Sequence, residues 1–111
     1  MKAGNIILIP FPFAELTIIK VRPAVVIGLT RDKYKDIKDI IVSAISSVVP
    51  DKLSETEILL KPNKTNNLRT HSIIKVDRIV TLKKENKIAD LGRLTSTELK
   101  KFKYIFKRLI E

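Results

Sequence analysis

Lys20-Val21-Arg22-Pro23-Ala24-Val25-Val26-Ile27 is the stretch on which the rest of the chain turns. It sets an arginine at the mouth of a β-branched run, with a proline directly behind it. Proline cannot donate to a sheet ladder, and it pushes the residue before it into an extended conformation. Arg22 is therefore expected at a strand entrance beside a loop, with its guanidinium in reach of solvent. A planar, permanently charged fork at such a place suits a phosphate. A surface arginine at a strand start is the plain alternative.

Working outward, Gly4 to Pro10 reads as a first strand that is continuous enough to be buried on both faces. Pro10-Phe11-Pro12-Phe13 is expected to stop it and to leave two rings at the lip of the sheet. Such rings fold back into a core or, on a basic loop, stack on unpaired bases. Ala14 to Lys20 reads as a loop and Val21 to Leu29 as the second strand. Thr30 to Lys38 connects it to a third strand over Asp39 to Val48, whose far end carries Ser46 and Ser47. Glu57 to Leu60 is a short strand, and Lys61 to Asn67 a loop by its turn residues. His71 to Val76 and Arg78 to Leu82 are strand-like, joined or kinked at Asp77. A basic turn at Lys83 to Lys87 leads to a last short strand, Ile88 to Leu91.

The one clear helix comes last. Thr95-Ser96-Thr97-Glu98 has the form of a capping box. Leu99, Phe102, Ile105, Phe106, Leu109 and Ile110 then fall on one stripe at helical spacing, with Lys100, Lys101, Lys103, Lys107 and Arg108 on the other faces. Many short strands with one terminal helix predict a mainly β fold. It would be a small antiparallel barrel or curled sheet whose open face the helix covers.

At 111 residues the chain fits a single domain, residues 1–111, with enough length for one core. Its formal charge of +10, from 22 Lys and Arg against 12 Asp and Glu, points to a polyanionic partner, with nucleic acid foremost. The absence of cysteine excludes disulfides and thiolate metal sites, and the single histidine, His71, excludes a two-histidine site within one chain. His71 reads as a partly exposed strand residue. No apolar run approaches the ~20 residues of a membrane span, and Ile6 to Phe13 is too short and too proline-broken for a signal peptide. A reducing cytoplasm is the expected location.

Taken together, these stretches resemble the MazF/PemK toxins of bacterial and archaeal toxin–antitoxin systems, nearly end to end. Gly4-Asn5-Ile6 stands where that family opens with Gly-Asp and a hydrophobic strand. Pro10-Phe11-Pro12-Phe13 resembles a Pro-Phe element of one branch. Lys20 to Val26 is similar to the family's basic-x-Arg-Pro-(small or apolar)-Val-Val motif. Ala44-Ile45-Ser46-Ser47 lies where members carry a strand ending in Thr or Ser. Ser72 to Leu82 is similar to the later strand pair, and Ile88 to Leu94 with the capped helix to the tail.

The resemblance implies an SH3-like β-barrel with a C-terminal helix, usually a homodimer. It implies a metal-independent endoribonuclease, without cofactor, that cuts single-stranded RNA through the 2′-hydroxyl and leaves a 2′,3′-cyclic phosphate. A small antitoxin would silence it. Arg22 would hold a non-bridging phosphate oxygen, and Ser46 would donate a hydroxyl bond to the same phosphorane. Lys75 and Asp77 occupy the basic-x-acid positions that take part in catalysis in one branch. Asp77 would act as base or as orienter of Arg22, with a turn-capping aspartate as the alternative. Phe11, Phe13, Lys20, Ser47 and Lys75 would contact substrate.

Two departures stand out: Asn5 replaces the usual acid after Gly4, removing a possible charge partner for Arg22, and the Ala14 to Lys20 loop is short. They favour the competing reading, a catalytically inactive RNA-binding or protein-binding module on the same barrel. A gyrase-poisoning relative acts through a C-terminal Trp-Gly-Ile, and this chain has no Trp.

Overall fold

The computed structural model describes residues 1–12 and 19–111. Six strands form its sheet: β1 (Asn5–Pro12), β2 (Ile19–Arg31), β3 (Ile37–Ser46), β4 (Glu57–Leu60), β5 (Ser72–Lys83) and β6 (Ala89–Arg93). A 3-10 turn at Lys84–Asn86 precedes β6, and α1 (Ser96–Arg108) follows it. The strand order is β4-β5-β3-β2-β1-β6, every pair antiparallel. The expected mainly β class with one C-terminal helix is borne out, as a curled sheet that forms a half-barrel with β4 and β6 at its edges. No described helix is long and apolar enough to cross a membrane.

The prolines explain where the sheet frays. β1 does not stop at Pro10 but runs to Pro12, pairing Pro10 with Val21 and Pro12 with Ile19. The Leu8 carbonyl accepts from the Ile88 N–H. By strand alternation the backbone of Leu8, Pro10 and Pro12 therefore faces β6, and β6 pairs only as far as Leu8. The two prolines sit where no donor is required. Pro23 lies opposite Leu8 and one residue outside the last β2–β3 pair, Ala24 with Ala44. Its missing N–H faces β3 where that ladder ends.

Both faces of the sheet carry apolar clusters. One holds Ile6, Val25, Ile45, Ile58, Leu60, Ile74, Val76 and Leu94, covered by Phe102 and Ile105 of α1. The other holds Ile7, Ile9, Ala24, Val26, Ile40 and Val42, with Phe11, Leu29, Val80 and Leu82 packed against it. β5 contributes Ile74 and Val76 to the first and Val80 and Leu82 to the second, although all four numbers are even. The switch happens at a bulge. Ser43 pairs with Ile79 while Ala44 pairs with Lys75, so Val76, Asp77 and Arg78 have no partner on β3. Buried Ser43 fills the gap by donating its hydroxyl to the Val76 carbonyl at 2.9 Å. The kink expected at Asp77 is this bulge, within one strand rather than between two.

The helix begins as its capping box dictates. Thr95 Oγ1 accepts from the Glu98 N–H and Glu98 Oε1 accepts from the Thr95 N–H. Its apolar stripe is buried only in part. Phe102 and Ile105 are inside and Leu99 and Phe106 half-buried, whereas the helix stops at Arg108 and leaves Ile110 79% exposed.

Candidate functional site

Arg22 lies where the sheet opens. Its strand is held by β1 on one side, with Ile9 opposite, and β3 stops pairing at Ala24. Two residues beyond that last pair stand Arg22 on β2 and Ser46, the last residue of β3. By strand alternation the two share a face of the sheet. Both side chains are half-buried.

The register places most of the other expected residues on that face. Phe11 pairs with Lys20, and Ala44, opposite Ala24, pairs in turn with Lys75. Phe11 is half-buried against the second apolar cluster. Lys75 pairs with Glu57 of β4, whose carboxylate the sequence reading did not single out and which accepts from the Ser54 N–H at 2.8 Å. Asp77 is exposed in the bulge two residues past Lys75, so the regular alternation that unites the others does not extend to it. Ser46 Oγ accepts from the Val48 N–H at 3.1 Å, which fixes its rotamer and leaves its proton to donate. Phe13 and most of the Ala14 to Lys20 loop lie outside the described residues. Ile19 and Lys20, expected in that loop, belong to β2.

Beside Arg22 opens a cleft of about 570 Å³. Leu8, Pro23, Ile45, Leu68 and Leu91 give it an apolar lining, and Lys20, Arg22 and Arg69 are its cationic groups, with Ser47 and Thr70 among its hydroxyls. No carboxylate belongs to its described lining. Lys20 and Arg22 are each engaged by other groups of the chain. An apolar floor edged by cations and hydroxyls can seat a base or sugar while gripping phosphate oxygens. The structure thus brings Lys20, Arg22 and Ser47 into the lining of one cleft, and by strand alternation sets Arg22, Ser46, Lys20 and Lys75 on one sheet face. Phe11 shares that face but not the cleft. Leu8, Pro23 and Ile45 of the cleft alternate with these residues and belong to the opposite face, so Ser46 and Lys75 lie outside its described lining.

Asn5 stands apart from all of this. It pairs with Arg93 and accepts from the Lys2 N–H at 3.0 Å. It is four positions along β1 from Ile9, the partner of Arg22, or about 13 Å at the rise of a strand. A carboxylate at position 5 would not have been a direct partner of Arg22.

The segment between β4 and β5 is where sequence reasoning saw least. Asn66 is completely buried. Its Oδ1 accepts from the Asn63 and Leu68 N–H groups, both at 3.0 Å, and its Nδ2 donates to the Lys61 carbonyl at 2.9 Å. Asn67 takes a left-handed φ of 55° and donates its Nδ2 to the Leu91 carbonyl at 2.6 Å. The Arg93 N–H donates to the Thr65 carbonyl at 3.0 Å. A Cβ on Gly92 would collide with the Thr65 carbonyl and the Asn66 backbone, so glycine is what lets the turn lie against β6. The sequence signal was present, as three asparagines within five residues and a glycine on the last strand. Nothing in it shows that the two meet.

The family model described as PemK-like, MazF-like toxin of type II toxin–antitoxin system matches residues 2–110. No curated protein matches the chain. Solved structures share the fold at low identity. An endoribonuclease in complex with its cognate antitoxin, from a mycobacterial species, is 14% identical with a TM-score of 0.72, covering 99% of this chain and 94% of the other. The Mycobacterium tuberculosis toxin MazF-mt6 is 16% identical with a TM-score of 0.67, covering 94% and 95%. A further Mtb toxin is 19% identical with a TM-score of 0.62, covering 89% and 97%.

Proposed function

We propose that this chain, which belongs to the PemK-like, MazF-like toxins of type II toxin–antitoxin systems, is an endoribonuclease that cuts single-stranded RNA. A cognate antitoxin holds it silent, and it works as a homodimer. The observation that carries the reading is the placement of Arg22. It sits two residues past the last β2–β3 pair, on the sheet face that also carries Ser46, and lines a cleft with cations and no carboxylate in its described lining.

Cleavage proceeds by internal attack. The ribose 2′-oxygen bonds to phosphorus and gives up its proton, and the bond from phosphorus to the 5′-oxygen breaks. That oxygen takes a proton, so the products are a 2′,3′-cyclic phosphate and a 5′-hydroxyl. No external nucleophile and no metal enter the scheme. Arg22 holds a non-bridging oxygen through two N–H groups as charge builds on the phosphorane, and Ser46 donates its free hydroxyl proton to the same centre. One such preorganised donor is worth about 3 kcal/mol of barrier. The guanidinium is too weak a base to take the 2′-proton. Asp77 is assigned either as the base that takes this proton or as the group that orients Arg22, and Lys75, on the face of Arg22 and Ser46, contacts the RNA backbone. Lys20 and Ser47 flank the cleft as substrate contacts, with Phe11 and Phe13 as stacking groups.

The test is cleavage of a single-stranded RNA by purified protein in EDTA, with the product ends analysed. A cyclic phosphate is expected, no cutting of the matching DNA, and a drop of about 100-fold or more in kcat for Arg22→Ala. Cutting by Arg22→Ala at the wild-type rate would remove Arg22 from the mechanism. Binding without cutting would favour the inactive module.

A further inference from the structure

Arg69 lines the same cleft as Arg22 but belongs to another part of the chain, the turn between β4 and β5. It is exposed and has no hydrogen-bond or ion-pair partner among the described residues. An exposed arginine alone signifies little. What distinguishes this one is the rigidity of its mount.

Leu68, just before it, is half-buried against the main core, and its N–H donates to the buried Asn66 amide. Thr70, just after it, accepts the Ser72 hydroxyl at 3.1 Å through its carbonyl. Behind both, Asn67 is tied to the Leu91 carbonyl and Thr65 to the Arg93 N–H. The backbone that carries the arginine is thus fixed on both sides, while the guanidinium itself is spared. A group presented this way loses little backbone entropy when it takes a ligand. Lys64, on the same turn and also exposed, does not line the cleft.

We propose that Arg69 is a second phosphate-binding residue, which grips a diester adjacent to the one held by Arg22 on the same single-stranded RNA. The Asn66-centred turn is the device that positions it. This rests on the ribonuclease reading and deepens it, because it assigns the far wall of the cleft to the neighbouring nucleotide. Arg69 then contributes to binding and register on the strand, and Arg22 to the chemical step.

The test is equilibrium binding of a 2′-O-methyl RNA oligonucleotide, which binds but cannot be cut, followed by fluorescence anisotropy across a range of salt concentrations. One lost phosphate contact lowers the slope of log affinity against log salt by about 0.7 for a single strand. Arg69→Ala is expected to show that loss with an unchanged thermal midpoint, since the side chain has no described partner. Arg69→Lys is expected to keep the slope, and Lys64→Ala to behave as wild type. In cleavage assays Arg69→Ala raises KM with little change in kcat, the reverse of Arg22→Ala. An unaltered slope for Arg69→Ala overturns the proposal. So does an equal loss for Lys64→Ala, which would mean a diffuse basic surface. If wild type binds no RNA, the ribonuclease reading fails first, and this one with it.

Discussion

Replacing Asn66 with alanine removes an amide that the chain cannot replace. Three backbone groups lose their partner at once: the N–H of Asn63, the N–H of Leu68 and the carbonyl of Lys61. An unsatisfied buried polar group costs about 1–3 kcal/mol. All three lie in a turn whose outer side reaches solvent, so the lower end of that range applies to each. The sum is about 3 kcal/mol, a large fraction of the 5–15 kcal/mol that holds a typical domain together. For a chain of this size that corresponds to a fall in Tm of roughly 10–20 °C.

Asn63 supplies the control. Its Oδ1 accepts from the Thr65 N–H at 2.9 Å and the Asn66 N–H at 2.8 Å, but the residue itself is exposed. Water can take its place, so Asn63→Ala is expected to cost about 1 kcal/mol or less. The assay is urea unfolding followed by far-UV circular dichroism, since the chain has no tryptophan. It is run at one protein concentration so that self-association is held constant. The m-value should not change, and the midpoint should move much further for Asn66→Ala than for Asn63→Ala. Equal shifts for the two, or an Asn66→Ala variant within about 0.5 kcal/mol of wild type, would refute the argument that burial of this amide is what secures the turn.

Three other substitutions probe the frame around the site. Gly92→Ala drives a methyl group into the Thr65 and Asn66 backbone. It should cost about 1–3 kcal/mol in urea unfolding and weaken RNA binding by the same displacement of the turn. Thr95→Ala removes the acceptor of the Glu98 N–H. A loss of about 1 kcal/mol is expected by thermal melting, with no effect on kcat. Ser43→Ala leaves the Val76 carbonyl unpaired inside the β5 bulge. It should destabilise by about 1–3 kcal/mol, and hydrogen exchange should quicken selectively at the amides of residues 76–78.

What could be read from the sequence is what local chemistry determines. The capping box needs only residues within one turn of each other, and Thr95 and Glu98 bond as their spacing requires. Arg22 was legible for the same reason, since Pro23 governs its conformation and ends the pairing of β2 with β3 beside it. The ends of strands were harder. β1 was expected to stop at Pro10, yet it pairs to Pro12 because β6 has already left its other edge. That is a property of a neighbour distant in sequence. The share of β5 in the second apolar cluster was hidden too, because its bulge shifts the alternation by which Val80 and Leu82 would otherwise fall beside Ile74 and Val76.

Asn66 marks the limit most sharply. Asparagine in a run with proline, lysine and threonine signals a solvent-facing turn, because its amide usually bonds backbone nearby while water meets the rest. Here the local bonds form as expected, to Lys61, Asn63 and Leu68, but the residue is sealed from water. The turn lies against β6, where Gly92 has no side chain to hold it off. Burial was therefore decided by a glycine 26 positions later, through a contact that leaves no periodic trace. The same contact converts a polar turn into a rigid wall and brings Arg69 to the cleft that Arg22 also lines. If Arg69 does grip the strand, the residues governing substrate register lie partly in the stretch that looked least structured. Variation at residues 61–71 would then alter which RNA is cut while leaving Arg22 and Ser46 untouched. Grafting this turn from another family member and sequencing the cleavage sites of the chimera tests the point. An unchanged site with intact binding would assign RNA selection to the sheet alone.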